Sequence, residues 1–233
     1  ELSSRKSLVV HLKMTGQLVY QGQENWGGGH PSDSLVGSLP DKSTRITFNL
    51  IDKYNQPSKL FFNDQRKFGW IKLFDSAELS HAPLFIKLGP EPLDNNFQFK
   101  NFNIRLNRRP NSKIKAALLD QTVISGIGNI YADESLFSAR IMPDSLVNKI
   151  PLNRRKILFD SIKEILALSI SLGGSTSRNY INAEGKKGNY LEFAQVYART
   201  GLDCLRCQKN IITKIRVAGR GTHICTKCQR IYL

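Results

Sequence analysis

The spacing of four cysteines constrains this chain more than any other feature. Cys204 and Cys207 stand two residues apart, Cys225 and Cys228 likewise, with seventeen residues between the pairs. A Cys-x-x-Cys pair on a tight turn aims two thiolates at one point, and two such turns complete a tetrahedral four-sulfur site suited to Zn2+. Four thiolates leave no open coordination position, so one structural Zn2+ is expected rather than a catalytic one. The chain holds no other cysteine. A metal knuckle in a reducing, cytoplasmic compartment therefore fits better than a secreted disulfide framework.

The segment around the cysteines is cationic. It carries Arg206, Lys209, Lys214, Arg216, Arg220, Lys227 and Arg230, with no Asp or Glu after Asp203. A small hairpin cannot bury those charges, so it presents them as a surface potential suited to phosphates. Across the 233 residues, 34 Lys and Arg against 19 Asp and Glu give a net charge of +15, which points to a polyanionic partner. A hydrophobic content of 40% excludes a disordered chain. The most apolar stretch, Ile157 to Leu172, is interrupted by Lys163 and Glu164, so no membrane span is expected.

The pattern predicts an α+β protein in three parts. Residues 1–80 read as a small antiparallel sheet: Leu8–Leu12, the alternation of Ile46, Phe48 and Leu50, Leu60–Phe62 and Trp70–Phe74 are short β-prone runs between turn residues. The Gly- and Ser-rich run from Gly22 to Pro40 reads as a mobile insertion on its rim. Residues 81–190 read as helical. Pro110-Asn111-Ser112 supplies a cap for a helix over Lys113–Leu119, a second runs from Asn129 to about Arg140, and a third opens at Pro151 and ends at Gly173-Gly174. Residues 191–233 read as the metal-stapled hairpin.

Two further features carry binding chemistry. A basic run, Lys100, Arg105, Arg108, Arg109, Lys113 and Lys115, precedes the turn Gly126-Ile127-Gly128-Asn129. Glycines there allow close backbone approach, and the following helix offers unpaired N–H groups to an anion, although glycines before a helix are also ordinary connectors. In Gln65-Arg66-Lys67-Phe68-Gly69, an arginine beside an aromatic at a strand end could wedge between bases; Phe68 in a core and Arg66 in solvent is the plain alternative. Met14 reads by default as core and His11 as a strand residue. No Ser/His/Asp or Cys/His nucleophilic set is visible.

Jointly, the motifs resemble the formamidopyrimidine-DNA glycosylase family, bacterial base-excision enzymes for oxidised purines. The matching pieces are His11-Leu12-Lys13-Met14-Thr15-Gly16, Asp64–Gly69, Leu88-Gly89-Pro90-Glu91-Pro92-Leu93, Leu118-Leu119-Asp120-Gln121, GIGNIYADESLF from Gly126, Gly173-Gly174-Ser175-Thr176, and Gly221-Thr222-His223-Ile224-Cys225 with Cys228-Gln229, in family order. The resemblance implies part of an N-terminal β-sandwich, a helix-two-turns-helix domain and a C-terminal zinc-finger hairpin, acting as a monomer on double-stranded DNA in the bacterial cytoplasm at the nucleoid. It implies removal of 8-oxoguanine and formamidopyrimidines followed by AP lyase chemistry. Met14, Arg66 and Phe68 match residues that fill the gap left by a flipped-out nucleotide. Asn129 and Tyr131 match phosphate-contacting positions, Lys115 a motif lysine near the DNA, and Arg220 the finger arginine assigned to δ-elimination. Arg109 belongs to the DNA-binding set, and Ser175–Tyr190 corresponds to a loop over the extruded base.

Two departures accompany the resemblance. Arg45 stands where the family usually has a DNA-contacting histidine, keeping a cation but not its geometry. Family members also begin with Pro-Glu, the proline amine attacking the sugar and a later lysine serving β-elimination. This chain starts at Glu1-Leu2. The expectation is therefore of a chain lacking the N-terminal catalytic segment, binding DNA but inactive alone. Alternatives are a non-catalytic zinc-finger DNA-binding protein and a zinc-ribbon RNA-binding module.

Overall fold

The computed structural model describes residues 1–29, 38–175 and 188–233. It divides into two compact units, one of residues 1–85 with 172–189, the other of residues 86–171 with 190–233.

The first unit contains β1 (Lys6–His11), β2 (Gly16–Gln21), β3 (Trp26–Gly29), β4 (Thr44–Ile51), β5 (Pro57–Asp64) and β6 (Trp70–Asp75). β1 pairs antiparallel with β6, and the other strands form a second antiparallel sheet in the order β3-β2-β5-β4. Val19 on β2 lies opposite Phe61 on β5, and both are buried. The expected insertion from Gly22 to Pro40 instead begins as a strand, because Trp26 stacks on Tyr20 with ring centroids 5.6 Å apart. Its residues 30–37 lie outside the described residues. β4 is an edge strand, which leaves Ile46, Leu50 and Ile51 exposed despite their alternation.

The second unit is built on α2 (Phe99–Leu106), α3 (Ile114–Leu119), α4 (Asn129–Ser138) and α5 (Leu152–Ser171). A short α1 (Pro83–Ile86) precedes them, and α6 (Tyr190–Phe193) follows. Phe102, Leu106, Ile114, Leu118, Ile124, Leu136, Leu158 and Ile162 form one contiguous core. Pro151 opens α5 as expected, its carbonyl accepting N–H bonds from Arg154 and Arg155. The buried Arg155 guanidinium then ties that end to Val147, Ile150, Asn103 and Asn107. Ser112 does not cap α3. The first-turn N–H groups of Ile114 and Lys115 donate instead to the carbonyls of Ser145 and Pro143, a contact distant in sequence that satisfies the same orphan donors.

β7 (Thr213–Val217) and β8 (Arg220–Ile224) form the finger hairpin, closed by Ala218 and Gly219, both at positive φ. Such a two-residue turn matches the twist of a β-ribbon. The finger belongs to the same compact unit as the helices, although residue 191 marks an expected boundary. Phe137, Val196, Ile212, Cys204 and Cys225 share one buried cluster, and Met142 donates to the Arg230 carbonyl at 2.8 Å.

Candidate nucleic-acid interface

In the first unit, two chain reversals meet. The turn from β1 into β2 carries Met14, and the turn from β5 into β6 carries Arg66 and Phe68. Gly16 is required in the first because a Cβ there would collide with the Leu12 carbonyl. Asp64, only 1% exposed, joins the two turns: its carboxylate accepts from the Thr15 hydroxyl, from Gly69 N–H at 2.7 Å and from Arg66 N–H at 3.2 Å. Burial alone would raise its pKa, but these donors outweigh burial and hold it below the ordinary 3.8. The Asp64 carbonyl accepts from Arg45 Nε at 2.8 Å. On this support, Met14 is 60% and Phe68 59% exposed. The Arg66 guanidinium lies between them, 3.5 Å from Met14 Sδ and 5.0 Å from the Phe68 ring centroid. The three form one projecting cluster, so the plain reading of Phe68 as core does not hold, nor does that of Met14.

A consequence follows for acid stability. A carboxylate with a depressed folded pKa contributes stability that is present above its unfolded pKa and lost as pH falls through the folded value. The protection of the Gly69 and Arg66 amides, each exchange rate taken against that of an unfolded amide at the same pH, is expected to stay high above the ordinary carboxylate range and to fall below it. Asp64→Asn is expected to show low protection at all pH values. High protection in that variant would contradict the role of the carboxylate.

In the second unit, the connection from α3 to α4 is stiffened by Gln121, which accepts from Gly126 N–H at 2.9 Å and donates to the Ile127 carbonyl at 3.0 Å. Gly126 takes φ 75°, and Gly128 caps α4 without a side chain in the way. The Asn129 amide donates to the Gly221 carbonyl at 3.1 Å, so it holds the finger hairpin to the helix start. The Tyr131 hydroxyl lies 2.7 Å from Ser169 Oγ. Arg220, the first residue after the hairpin turn, is exposed. Arg109 is half exposed and paired with Asp120 at 2.6 Å.

Lys115 differs from its expected role. Its ammonium is fully buried and bonded to Asp133 Oδ1 at 2.6 Å, Thr222 Oγ1 at 2.7 Å and the Gly221 carbonyl at 3.3 Å. It cannot present itself to a phosphate and instead supports the strand that begins with Arg220. Burial lowers its pKa, with Asp133 opposing. Asp133 also accepts from His223 N–H at 2.9 Å. Its neighbour Glu134 accepts from the N–H groups of Gln195, Val196 and Tyr197, and burial raises its pKa against them. Neither acid was singled out from sequence, yet adjacent carboxylates inside an apolar helical run of a strongly cationic chain are a legible signal.

The four cysteine sulfurs lie within 4.8 Å of one another, with Cys204–Cys228 and Cys207–Cys225 each at 3.8 Å. A tetrahedron with Zn–S bonds of about 2.3 Å has edges of about 3.8 Å. The donor set fits one structural Zn2+ with all four positions filled. Against its burial, the Asn210 amide and nearby main-chain N–H groups bring the Cys225 thiol down to about 7, while burial and the neighbouring thiols push Cys228 up to about 12 and burial raises Cys204, so holding all four as thiolates takes a cation at their centre.

Comparison with known proteins agrees with these features. The family model described as formamidopyrimidine-DNA glycosylase N-terminal domain matches residues 1–71. The H2TH domain model of the same family matches 88–180, and the zinc finger found in FPG and IleRS matches 201–231. The expectation of a missing N-terminal segment is not borne out, since that domain is present. A formamidopyrimidine-DNA glycosylase of Desulforamulus reducens is 36% identical over 98% of this chain and 76% of its own length. One from Streptococcus pyogenes is 39% identical over 96% of this chain and 74% of its own. The structure of Lactococcus lactis Fpg with abasic-site DNA superposes with a TM-score of 0.79 at 37% identity, covering 97% of this chain and 75% of that one. With the β domain, the helical domain and the finger all matched in order, this chain belongs to the formamidopyrimidine-DNA glycosylase family.

Proposed function

We propose that this chain binds double-stranded DNA containing oxidised purines, 8-oxoguanine and formamidopyrimidines, as a monomer in the bacterial cytoplasm at the nucleoid, and serves a DNA glycosylase with AP lyase activity. The observation that carries this reading is the projecting cluster of Met14, Arg66 and Phe68. Exposed apolar side chains are ordinary, but here Met14 and Phe68 flank one guanidinium on turns pinned by the buried Asp64 carboxylate, a projecting grouping shaped to enter a base stack. Flipping a nucleotide costs a few kcal/mol of stacking, and an inserted ring beside a guanidinium offsets part of that cost. Arg45, joined to the same support through the Asp64 carbonyl, supplies a cation beside the cluster.

In the second unit, exposed Arg220 and the start of α4 near Asn129 and Tyr131 supply phosphate contacts, and Arg109 adds another. Residues 1–80 are the lesion-sensing part, 81–190 the helical DNA-binding part and 191–233 the finger. The capping role of Ser175–Tyr190 falls mainly on residues outside the described set. Zn2+ on Cys204, Cys207, Cys225 and Cys228 fixes the hairpin and takes no part in the reaction. Arg220 is the residue of this chain assigned to δ-elimination.

The test compares duplexes with and without one 8-oxoguanine. The polypeptide is expected to prefer the damaged duplex, and Arg66→Ala to reduce that preference about tenfold while affinity for intact duplex stays. Equal affinity of the unsubstituted polypeptide for both duplexes would overturn this reading.

A further inference from the structure

The helical unit contains a second cationic feature, of which the phosphate contacts proposed above use only Arg109. A groove of about 410 Å³ is lined by Lys87, Arg105, Arg108 and Arg109, with Ile86, Leu88 and Val123 as its apolar wall. No acidic residue lines it. The nearest acidic partner is Asp120, bound to Arg109 Nη2 at 2.6 Å. Its own burial works the other way, but Thr122 and Arg109 hold the Asp120 pKa below the ordinary value, so it remains an anchor rather than a proton store. Arg105 is fixed by its bond to the Thr122 carbonyl at 2.9 Å. Each of these guanidinium groups is oriented through one nitrogen, while a guanidinium offers five N–H donors. Lys87 and Arg108 are exposed and, among the described residues, have no carboxylate within ion-pair distance.

Concentrating four cations around a single carboxylate is unfavourable for a free chain and favourable for one that meets an anion. Two arginines already held in place lose little side-chain freedom on binding. We infer that this groove is a second phosphate subsite, holding the sugar-phosphate backbone of a nucleic-acid strand. The apolar wall suits the deoxyribose, and Ile86 is 64% exposed. Continuity favours a strand over a free nucleotide. Asp120 and Thr122, which anchor the two arginines, lie on the same Gln121-stiffened connection that leads to Gly128 and the start of α4. One rigid segment therefore carries both phosphate positions.

This inference rests on the proposal that the chain binds duplex DNA, and the experiment separates the two. Lys87→Ala/Arg108→Ala removes two exposed cations that form no ion pair among the described residues. Its affinity is measured over a salt series against a short duplex centred on the lesion and one about twice as long, alongside Arg220→Ala. On the longer duplex the double variant is expected to bind about tenfold more weakly at moderate salt, and the slope of log K against log salt to fall by nearly two. A loss on both lengths places the subsite within the lesion footprint and supports it equally. Arg220→Ala is expected to weaken both. If the unsubstituted polypeptide fails to bind either duplex, the DNA-binding reading fails first. If Arg220→Ala weakens binding while the double variant matches the unsubstituted chain at every length and salt, the groove is not a phosphate subsite. Should that variant instead lose affinity only for a polyglutamate peptide, the occupant is an acidic protein segment and the inference is overturned.

Discussion

Asp133→Ala is expected to lower the melting temperature of the helical unit by roughly 6–20 °C, among the largest effects of any single substitution outside the metal site. Lys115 and Asp133 side chains are both 0% exposed and bonded at 2.6 Å. A buried ion pair contributes little relative to apolar residues of the same shape, because desolvation cancels most of the attraction. Removing one partner leaves the other charge uncompensated, at a cost of about 3–5 kcal/mol. The ceiling is set by proton loss: neutralising a lysine of ordinary pKa 10.5 at pH 7 costs about 5 kcal/mol, at 1.36 kcal/mol per unit. For a chain of this size each kcal/mol moves the midpoint by about 2–4 °C.

The sign of the pH dependence follows. In Asp133→Ala the folded lysine binds its proton less tightly than the unfolded one, so the unfolded state holds more protons and stability rises with pH up to the unfolded pKa. The variant is therefore expected to recover part of its loss between pH 7 and 10. Lys115→Met combined with Asp133→Leu is expected to be more stable than Asp133→Ala alone. A midpoint unchanged within about 2 °C, or a double variant no better than the single one, would remove the ion pair from this account.

The finger and four strands of the first unit were legible because their signals are local, whereas β2 and β3 carried no run that singled them out. Two-residue spacing between thiols is a property of one turn, and the period of α5 is a property of one helix. Lys115 shows where such reading stops. It sits in a basic run with Lys113 and reads as surface, yet its partners Asp133 and Thr222 lie 18 and 107 residues away along the chain. The same limit explains the start of α3, where Pro143 and Ser145 do the work expected of Ser112. Phe68 was ambiguous for a related reason: what holds it outward is Asp64, whose donors come from two turns joined only by the sheet. Family resemblance supplied the grouping of Met14, Arg66 and Phe68 that periodicity could not, but it placed Lys115 at the DNA, where burial does not allow it.

Cys225→Ser is expected to abolish most zinc binding and to weaken duplex affinity about a hundredfold, leaving the helices intact. A serine hydroxyl is a poor ligand at neutral pH, and three thiolates make a far weaker tetrahedral site than four. Metal binding to a finger is coupled to its folding and is worth about 10–16 kcal/mol in isolated zinc-finger peptides. A two-stranded hairpin without that contribution is marginal in water. Cys225 is itself 0% exposed, packed in the cluster of Phe137, Val196 and Ile212, and its N–H donates to Gln229 Oε1 at 2.9 Å. Loosening it frees β8, and with β8 goes the position of Arg220. The separate core of Phe102, Leu118, Leu136 and Leu158 does not depend on the sulfurs. Helical circular dichroism should therefore persist while zinc content and affinity fall together, whereas Asp133→Ala lowers thermal stability with zinc still bound. A chelator added to the unsubstituted chain should reproduce the cysteine variant. Metal-free protein that grips duplex DNA undiminished would show that the hairpin holds its shape by packing alone.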